Sequence, residues 1–281
     1  MKLRRSYLVA ITVLLLASCA TENTTDSQSE TPEAAVEVTN EETEEPLTLE
    51  RDPRLIGGEK SADQVTIEQA IDVMNEQAES ELIGYWVGDF GGNKINLSIY
   101  RIDGNQAYGY SVCAGNFRPI KGLVAAAGED VMHFELAEPG DDKYDGAFSL
   151  DVELGQQQMT GSWKPFIEEG NSPKTFTLTK RAFEYDPSVG LFPEASDHLL
   201  NDEELMNLLP EDLELMRNAI YARHGYSFKN KKMRYRFNQE EWYMPMGVDI
   251  RDQLTDIEAA NIDRIYAAEA YQEEYYDEFG R

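Results

Sequence analysis

The chain has 281 residues, of which 53 are acidic and 25 are basic, so its formal charge is -28. This charge argues against nucleic acid as a partner of the whole molecule, because repulsion would dominate the encounter. With 41% hydrophobic and 10% aromatic residues, the chain can bury a sizeable core, which excludes global disorder. Its two cysteines argue against a disulfide scaffold.

The N-terminus has the features of an export signal over residues 1–18. A basic start is followed by an apolar run at residues 7–16 and by small residues before Cys19. The run is about half the length that a membrane-spanning helix needs, so we expect no retained transmembrane anchor. Leu16-Ala17-Ser18-Cys19 resembles the bacterial lipobox, which implies cleavage before Cys19 and lipidation of its thiol. The alternative is an ordinary secretory peptide that contains a cysteine.

Residues 19–60 are predicted to form a disordered tether. Between Ala20 and Glu50 there are ten carboxylates and no basic or aromatic residue. Like charges extend such a segment, and it cannot bury enough apolar surface to fold. An amphipathic helix is predicted next, over Thr66 to Ala78, with one apolar face: Ile67, Ala70, Ile71 and Met74.

Residues 64–186 are predicted to form a small antiparallel β-barrel with this helix before it. Eight short runs of alternating polarity are separated by turns rich in Gly, Asn and Asp, and they begin near Tyr85, Lys94, Gln106, Phe117, Val131, Gly146, Gln157 and Lys174. An up-and-down barrel is favoured because closure removes exposed strand edges. Gly84-Tyr85-Trp86 resembles the opening of lipocalin-type barrels, although only loosely. A filled interior is expected, with an aromatic pocket around Tyr108 and Tyr110 as the alternative.

Residues 197–281 are predicted to be an all-α module. Asn201 and Thr255 each begin a capping box, and Pro210 begins a helix that ends at Gly225. That helix carries Arg217 and Asn218 and ends in Tyr221-Ala222-Arg223-His224-Gly225, and Trp242-Tyr243 follow. These residues resemble the YARHG domain, a bacterial extracytoplasmic module, over roughly residues 199–270. The resemblance implies a helical fold facing the cell envelope and brings no settled activity.

Arg217, Tyr221 and His224 fall on one stripe of this helix at 100° per residue. One interpretation is a recognition or catalytic cluster, because a histidine titrates near neutrality and an arginine can hold an anionic oxygen. The other, which we favour, is structural. In it His224 caps the helix carbonyls, while Tyr221 and Arg217 bind the backbone of a loop between Tyr226 and Trp242.

The stretch from Arg217 to Arg236 contains seven basic residues and no acidic residue. Interleaved aromatic residues could make this stretch a surface for phosphate, sulfate or uronate groups. Neutralisation by acidic residues nearby and in the last helix is the alternative. The candidate ligand-binding residues are Arg217, Tyr221, Arg223, His224, Lys229, Lys231, Lys232, Arg234 and Arg236.

The sequence favours a non-catalytic binding lipoprotein of the cell envelope. Ala20 follows Cys19, and lipoproteins that lack Asp at this position resemble those of the outer membrane, so we expect that location. Its expected partners are the membrane, through the lipid anchor, and an envelope polymer or protein. No catalytic motif, zinc-ligand spacing or cofactor fingerprint occurs, so we expect no metal and no cofactor. Two alternatives stay open: a carrier that holds a small apolar ligand in the barrel, and a hydrolase that uses Arg217, Tyr221 and His224.

Overall fold

The computed structural model describes residues 60–75 and 80–276, with side chains for 60–71 and 80–274. The predicted signal peptide, Cys19 and the predicted tether up to residue 59 lie outside the described residues. The described residues belong to one compact unit. None of the helices among them is both long and apolar enough to cross a membrane.

Eight antiparallel strands form a closed up-and-down barrel, in which each strand pairs with the next and β1 pairs with β8. The strands are β1 (Gly84–Asp89), β2 (Lys94–Asp103), β3 (Gln106–Cys113), β4 (Asn116–Ala126), β5 (Val131–Ala137), β6 (Gly146–Glu153), β7 (Gln158–Pro165) and β8 (Lys174–Arg181). The predicted barrel is therefore confirmed, and each strand begins within one residue of its expected start.

The interior of the barrel is a packed apolar core. On β6 the inward residues Phe148, Leu150 and Val152 are buried and alternate with more exposed ones, as the period of two requires. Trp86 and Trp163 belong to the same core. This core agrees with the filled interior that we expected, and a cavity opens at one end of the barrel.

The outer face of β3 is covered by helix α1 (Ala62–Asn75), which begins four residues earlier than predicted. Ile67 of this helix packs against Tyr110 and Val112. These two β3 residues therefore point outwards, whereas Ala107 and Cys113 belong to the inward face. The alternative prediction of an internal pocket lined by Tyr108 and Tyr110 is wrong, because both residues lie on the outer face of β3. Tyr110 packs against α1 there.

Five α-helices follow the barrel among the described residues: α2 (Glu194–Asp197), α3 (Asp202–Met206), α4 (Pro210–Arg223), α5 (Lys231–Asn238) and α6 (Asp256–Tyr276). A short 3-10 helix, Arg251–Gln253, precedes α6. The capping boxes of α3 and α6 are present as predicted, through Asn201 with Glu204 and Thr255 with Glu258. Helix α5 occupies the stretch that we had interpreted as a loop. Its N-cap is Asn230, whose side chain accepts hydrogen bonds from two backbone N–H groups of the first turn.

Candidate functional site

The end of α4 is fixed by glycine. Gly225 has φ of 74°, and the backbone N–H groups of Gly225 and Tyr226 donate to the carbonyls of Ala222 and Tyr221. This is the Schellman arrangement, which needs a left-handed residue after the helix. A Cβ at position 225 would also lie 2.5 Å from Met246 Cγ. Both the backbone geometry and the packing around this position therefore require glycine. The turn holds His224 against α6.

His224 and Glu258 form a buried polar pair between α4 and α6. His224 Nε2 lies 2.8 Å from Glu258 Oε2, and the His224 and Glu258 side chains are 4% and 0% exposed. Oε1 of the same carboxylate accepts hydrogen bonds from the Tyr185 and Ser196 hydroxyl groups, at 3.0 Å and 2.7 Å. The Tyr185 ring stacks on the His224 ring with centroids 4.4 Å apart. We call Tyr185, Ser196, Arg223, His224 and Glu258 the Glu258 cluster.

The donors of the cluster keep the Glu258 carboxylate ionised. Burial alone would raise its pKa. The hydrogen bond and charge of His224 outweigh burial, with help from the Thr255 backbone N–H and the Ser196 hydroxyl, so the pKa of Glu258 is lowered. A carboxylate enclosed in this way has its acceptor sites occupied by the protein.

Arg223 ties the chain before α2 to this cluster. Its guanidinium donates to the carbonyls of Val189 and Leu191 and to the Ser196 hydroxyl. Burial lowers the pKa of Arg223. Three acceptors in fixed positions match the planar fork of a guanidinium, which a lysine could not replace.

Arg217 and Tyr221 also face α6, and not the backbone between Tyr226 and Trp242 as predicted. Arg217 binds Glu269 through two nitrogen atoms at 3.2 Å and 3.0 Å, and it lies 4.2 Å from the centroid of the Tyr266 ring. Tyr221 is fully buried, and its hydroxyl makes no well-formed hydrogen bond within the described part of the chain. The expected backbone contacts are wrong because α6 packs along this stripe.

The three residues of the predicted stripe, Arg217, Tyr221 and His224, do lie on one side of α4, but that side packs against α6 and does not face solvent. Arg217 and His224 bind Glu269 and Glu258 of α6, and Tyr221 lies beside Tyr266 of the same helix. The proposed capping of α4 carbonyls by the His224 ring is replaced by the pair with Glu258. Ser227, which could have served as a nucleophile, is buried and accepts a hydrogen bond from Gly115 N–H of the barrel. The contacts found for His224 and Ser227 do not join them.

The rest of the basic stretch lies on or beside α5. Lys232 pairs with Glu214, and Arg236 pairs with Glu240, so part of the stretch is neutralised locally as the alternative interpretation supposed. Arg234 donates to the backbone carbonyl of Lys229 at 3.0 Å. Of the basic side chains on or beside α5, three form no ion pair with a described residue: Lys229, Lys231 and Arg234.

The loop after α5 contacts the barrel at strands β2 and β8. Lys94 of β2 donates to the backbone carbonyls of Glu240 and Tyr243, and Arg181 of β8 donates to that of Glu241. Burial, together with the nearby Arg181 charge, lowers the pKa of Lys94 to about 8. In the turn between β3 and β4, Gly115 has φ of 76° and a Cβ there would lie 2.2 Å from Lys229 Cγ, so this turn requires glycine.

A cavity of about 590 Å³ opens at the end of the barrel that carries the turn between β3 and β4. Its inner wall is apolar and includes Phe90, Phe148 and Trp163. Basic side chains from β4, β8 and α5 also line the cavity: Arg118, Lys174 and Arg234. Sequence reasoning placed a possible pocket on the other face of β3, so it missed this cavity.

The helical region matches a known family model. Residues 190–270 match the YARHG domain. The match begins at residue 190, nine residues before the start expected from the motif, and thus takes in Leu191 and Ser196, which bind Arg223. Comparisons with curated proteins and with solved structures give no match for this chain.

All five residues of the YARHG pentapeptide are buried in the helical region. Glu258, Tyr185 and Ser196 were missed as its partners by sequence reasoning. One clue was present: Glu258 shares the apolar face of α6 with Ile262 and Ile265 at helical spacing, and a carboxylate there needs a buried partner. Within the described residues, no group of three His, Cys, Asp or Glu side chains is arranged to hold a metal ion.

Proposed function

We propose that the protein is a non-catalytic binding lipoprotein of the cell envelope. Cys19 carries the lipid anchor, residues 19–60 form the tether, and the folded part contacts an anionic envelope component. The contact surface is formed by Lys229, Lys231 and Tyr235, which we call the α5 surface. The protein binds this polymer or lipid headgroup without converting it.

The observation that carries the proposal is the exposure of these groups without a compensating acid. Lys229 and Lys231 are exposed and form no ion pair with any described residue. Tyr235 is 74% exposed, whereas the other aromatic residues of the stretch are packed inside: Tyr221, Tyr226 and Phe228. A phosphate or uronate group could bind the two ammonium groups, and a sugar ring could lie against the tyrosine.

The negative charge of the rest of the molecule supports a single contact surface. At a formal charge of -28 the chain repels anionic polymers over most of its area. A local cationic patch then sets both the place and the orientation of contact. The attraction is weakened by salt, because such exposed charges are screened beyond about 10 Å at 0.1 M ionic strength.

The surface is tested with the full chain and polygalacturonate-coated beads at two salt concentrations. The double variant Lys229→Gln/Lys231→Gln should lose capture at low salt, and the unchanged chain should lose it only at high salt. Lys121→Gln/Lys164→Gln is the matched control, because it removes two exposed barrel lysines and makes the same change in net charge. Equal loss in both double variants, or capture by neither, would refute the α5 surface.

The anchor is tested separately by metabolic labelling with palmitate. Cys19→Ala should abolish labelling and move the protein out of the membrane fraction, since the thiol is the site of acylation. Unchanged labelling would remove the lipoprotein from the proposal while leaving the α5 surface to its own test.

A further inference from the structure

The cavity at the barrel mouth has the size of a small-molecule site. Its volume of about 590 Å³ lies within the usual range of roughly 300–1,000 Å³ for such sites. It is built from the barrel and from the YARHG domain together, because Arg234 of α5 lines it beside residues of β3, β6 and β8. A molecule bound there would contact both parts of the chain.

One wall of the cavity is aromatic. The Phe90 ring lies 5.7 Å from that of Trp163 and 6.2 Å from that of Phe148, between centroids. All three belong to the apolar core of the barrel, so their positions are fixed by packing below them. Phe90 is the most accessible of the three, at 7% exposure, and offers an apolar contact to the body of a ligand.

Two cations of the cavity are left without an acidic partner among the described residues. Lys174 Nζ lies 4.5 Å and 4.3 Å from the ring centroids of Phe90 and Trp163 and forms no ion pair. Arg234 donates only to the Lys229 carbonyl. The third cation, Arg118, is already bound to Asp141 and Asp145.

The acids of the cavity are held by the protein itself. Glu138 accepts hydrogen bonds from the Ser111 hydroxyl, Gly146 N–H and Trp163 Nε1–H, at 3.2, 2.7 and 3.2 Å. Asp142 accepts from Tyr144 N–H, and Asp145 from Arg118 and from Gly140 N–H. Burial raises the pKa of the Cys113 thiol to about 12, so it adds no negative charge near neutrality. These acids already accept hydrogen bonds from the protein, so the charged groups left to bind a ligand directly are Lys174 and Arg234.

We propose that the mouth of the barrel binds a small organic anion. Its carboxylate, sulfonate or phosphate group would lie between Lys174 and Arg234, and its apolar or aromatic body would lie against Phe90 and Trp163. This ligand differs from the apolar cargo expected of the barrel alone, since the YARHG domain supplies one of the two cations. It is also independent of the α5 surface, whose lysines do not line the cavity.

The test uses two fluorescent probes of similar shape with the full chain. 8-Anilinonaphthalene-1-sulfonate carries an anionic group, and N-phenyl-1-naphthylamine is neutral. Lys174→Met and Arg234→Met should each weaken binding of the sulfonate about tenfold or more, equivalent to about 1.4 kcal/mol. Binding of the neutral probe should not change, which also shows that the variants are folded.

Two further variants control for net charge and for shape. Lys164→Met removes an exposed lysine of β7 that does not line the cavity and should leave binding of both probes unchanged. Lys174→Arg keeps the charge and should keep most of the affinity for the sulfonate. The proposal is overturned if sulfonate affinity survives in Lys174→Met and Arg234→Met, or if both probes weaken in parallel. Loss in Lys174→Met alone would overturn the part assigned to α5.

Discussion

Tyr221 and Tyr243 are buried to the same degree, but their hydroxyl groups are in opposite situations. The Tyr243 hydroxyl donates to the backbone carbonyl of Tyr226 at 2.8 Å. The Tyr221 hydroxyl has no well-formed hydrogen bond within the described residues and makes only weak polar contacts with Arg217 and Tyr266. Burial raises the pKa of both phenols, so both groups stay neutral over the whole range in which proteins fold.

The two tyrosines should therefore respond differently to loss of the hydroxyl group. Tyr243→Phe should lower the free energy of unfolding by about 1 kcal/mol or more, because a buried carbonyl loses its donor. Tyr221→Phe should leave it unchanged within about 0.5 kcal/mol or raise it, because an unsatisfied buried hydroxyl is removed. Denaturant unfolding of the two variants measures the difference. A larger loss for Tyr221→Phe would show that its hydroxyl has a partner after all.

At the scale of elements, one residue links the start of α6 to the end of α4. Glu258 accepts from Thr255 N–H in the capping box and also pairs with His224. A capping acid is usually exposed, and its loss costs little beyond the cap. Here the same carboxylate is the buried anion of the Glu258 cluster, so helix capping and domain packing depend on one protonation state.

This link predicts a defined acid dependence. The pKa of Glu258 is below its ordinary value of 4.5 in the folded chain, so the stabilisation is complete above that pH and is lost as pH falls through the folded value. Glu258→Gln should cost about 3 kcal/mol near pH 7, and this difference should shrink below about pH 4.5. Unfolding measured from pH 7 to pH 3 tests it. Glu203→Gln, an exposed acid of α3, serves as the control, and a difference that persists undiminished at pH 3 would contradict the assignment.

The elements that sequence reasoning predicted well are those with a local pattern. Strand alternation and the capping boxes at Asn201 and Thr255 depend on neighbours a few residues away, and they appear where expected. Helix α5 was missed because most of its residues are charged or polar, so it shows little helical periodicity of apolar residues. Only Met233 and Phe237, four positions apart, are buried on it, and the one clear sign was the Asn230 cap.

The partners within the site were beyond a local pattern. His224 and Glu258 are 34 positions apart, and Tyr185 and Glu258 are 73 apart, so only the packing of α4 on α6 brings them together. Helical geometry predicted that Arg217, Tyr221 and His224 share one side of α4, but it did not predict what that side contacts. Whether such a stripe faces solvent or another helix depends on that second helix, and the periodicity of α4 carries no information about it.

At the scale of the whole molecule, the barrel and the YARHG domain are joined by backbone contacts as well as side chains. Ser227 of the YARHG domain accepts a hydrogen bond from Gly115 N–H at 2.9 Å, and Lys94 of the barrel donates to the Glu240 and Tyr243 carbonyls. A further close contact lies in the segment that precedes α2. Gly190, with φ of 78°, passes so close to Trp242 that a Cβ would lie 2.6 Å from the ring. Residues 185–196 are thus packed onto the helices that follow them.

The length of the connecting chain should therefore decide how well the helical region folds alone. A fragment of residues 197–281 lacks the Val189 and Leu191 carbonyls that bind Arg223, and it lacks the Tyr185 and Ser196 hydroxyl groups that bind Glu258. A fragment of residues 185–281 keeps all of them, and neither fragment contains the barrel. We expect the longer fragment to be more stable by at least about 2 kcal/mol, because hydrogen bonds to buried charged groups contribute about 1.5–3 kcal/mol each. Denaturant unfolding followed by circular dichroism measures this difference. Equal stability of the two fragments would mean that the charges of Arg223 and Glu258 find other partners, and that the helical module begins at residue 197.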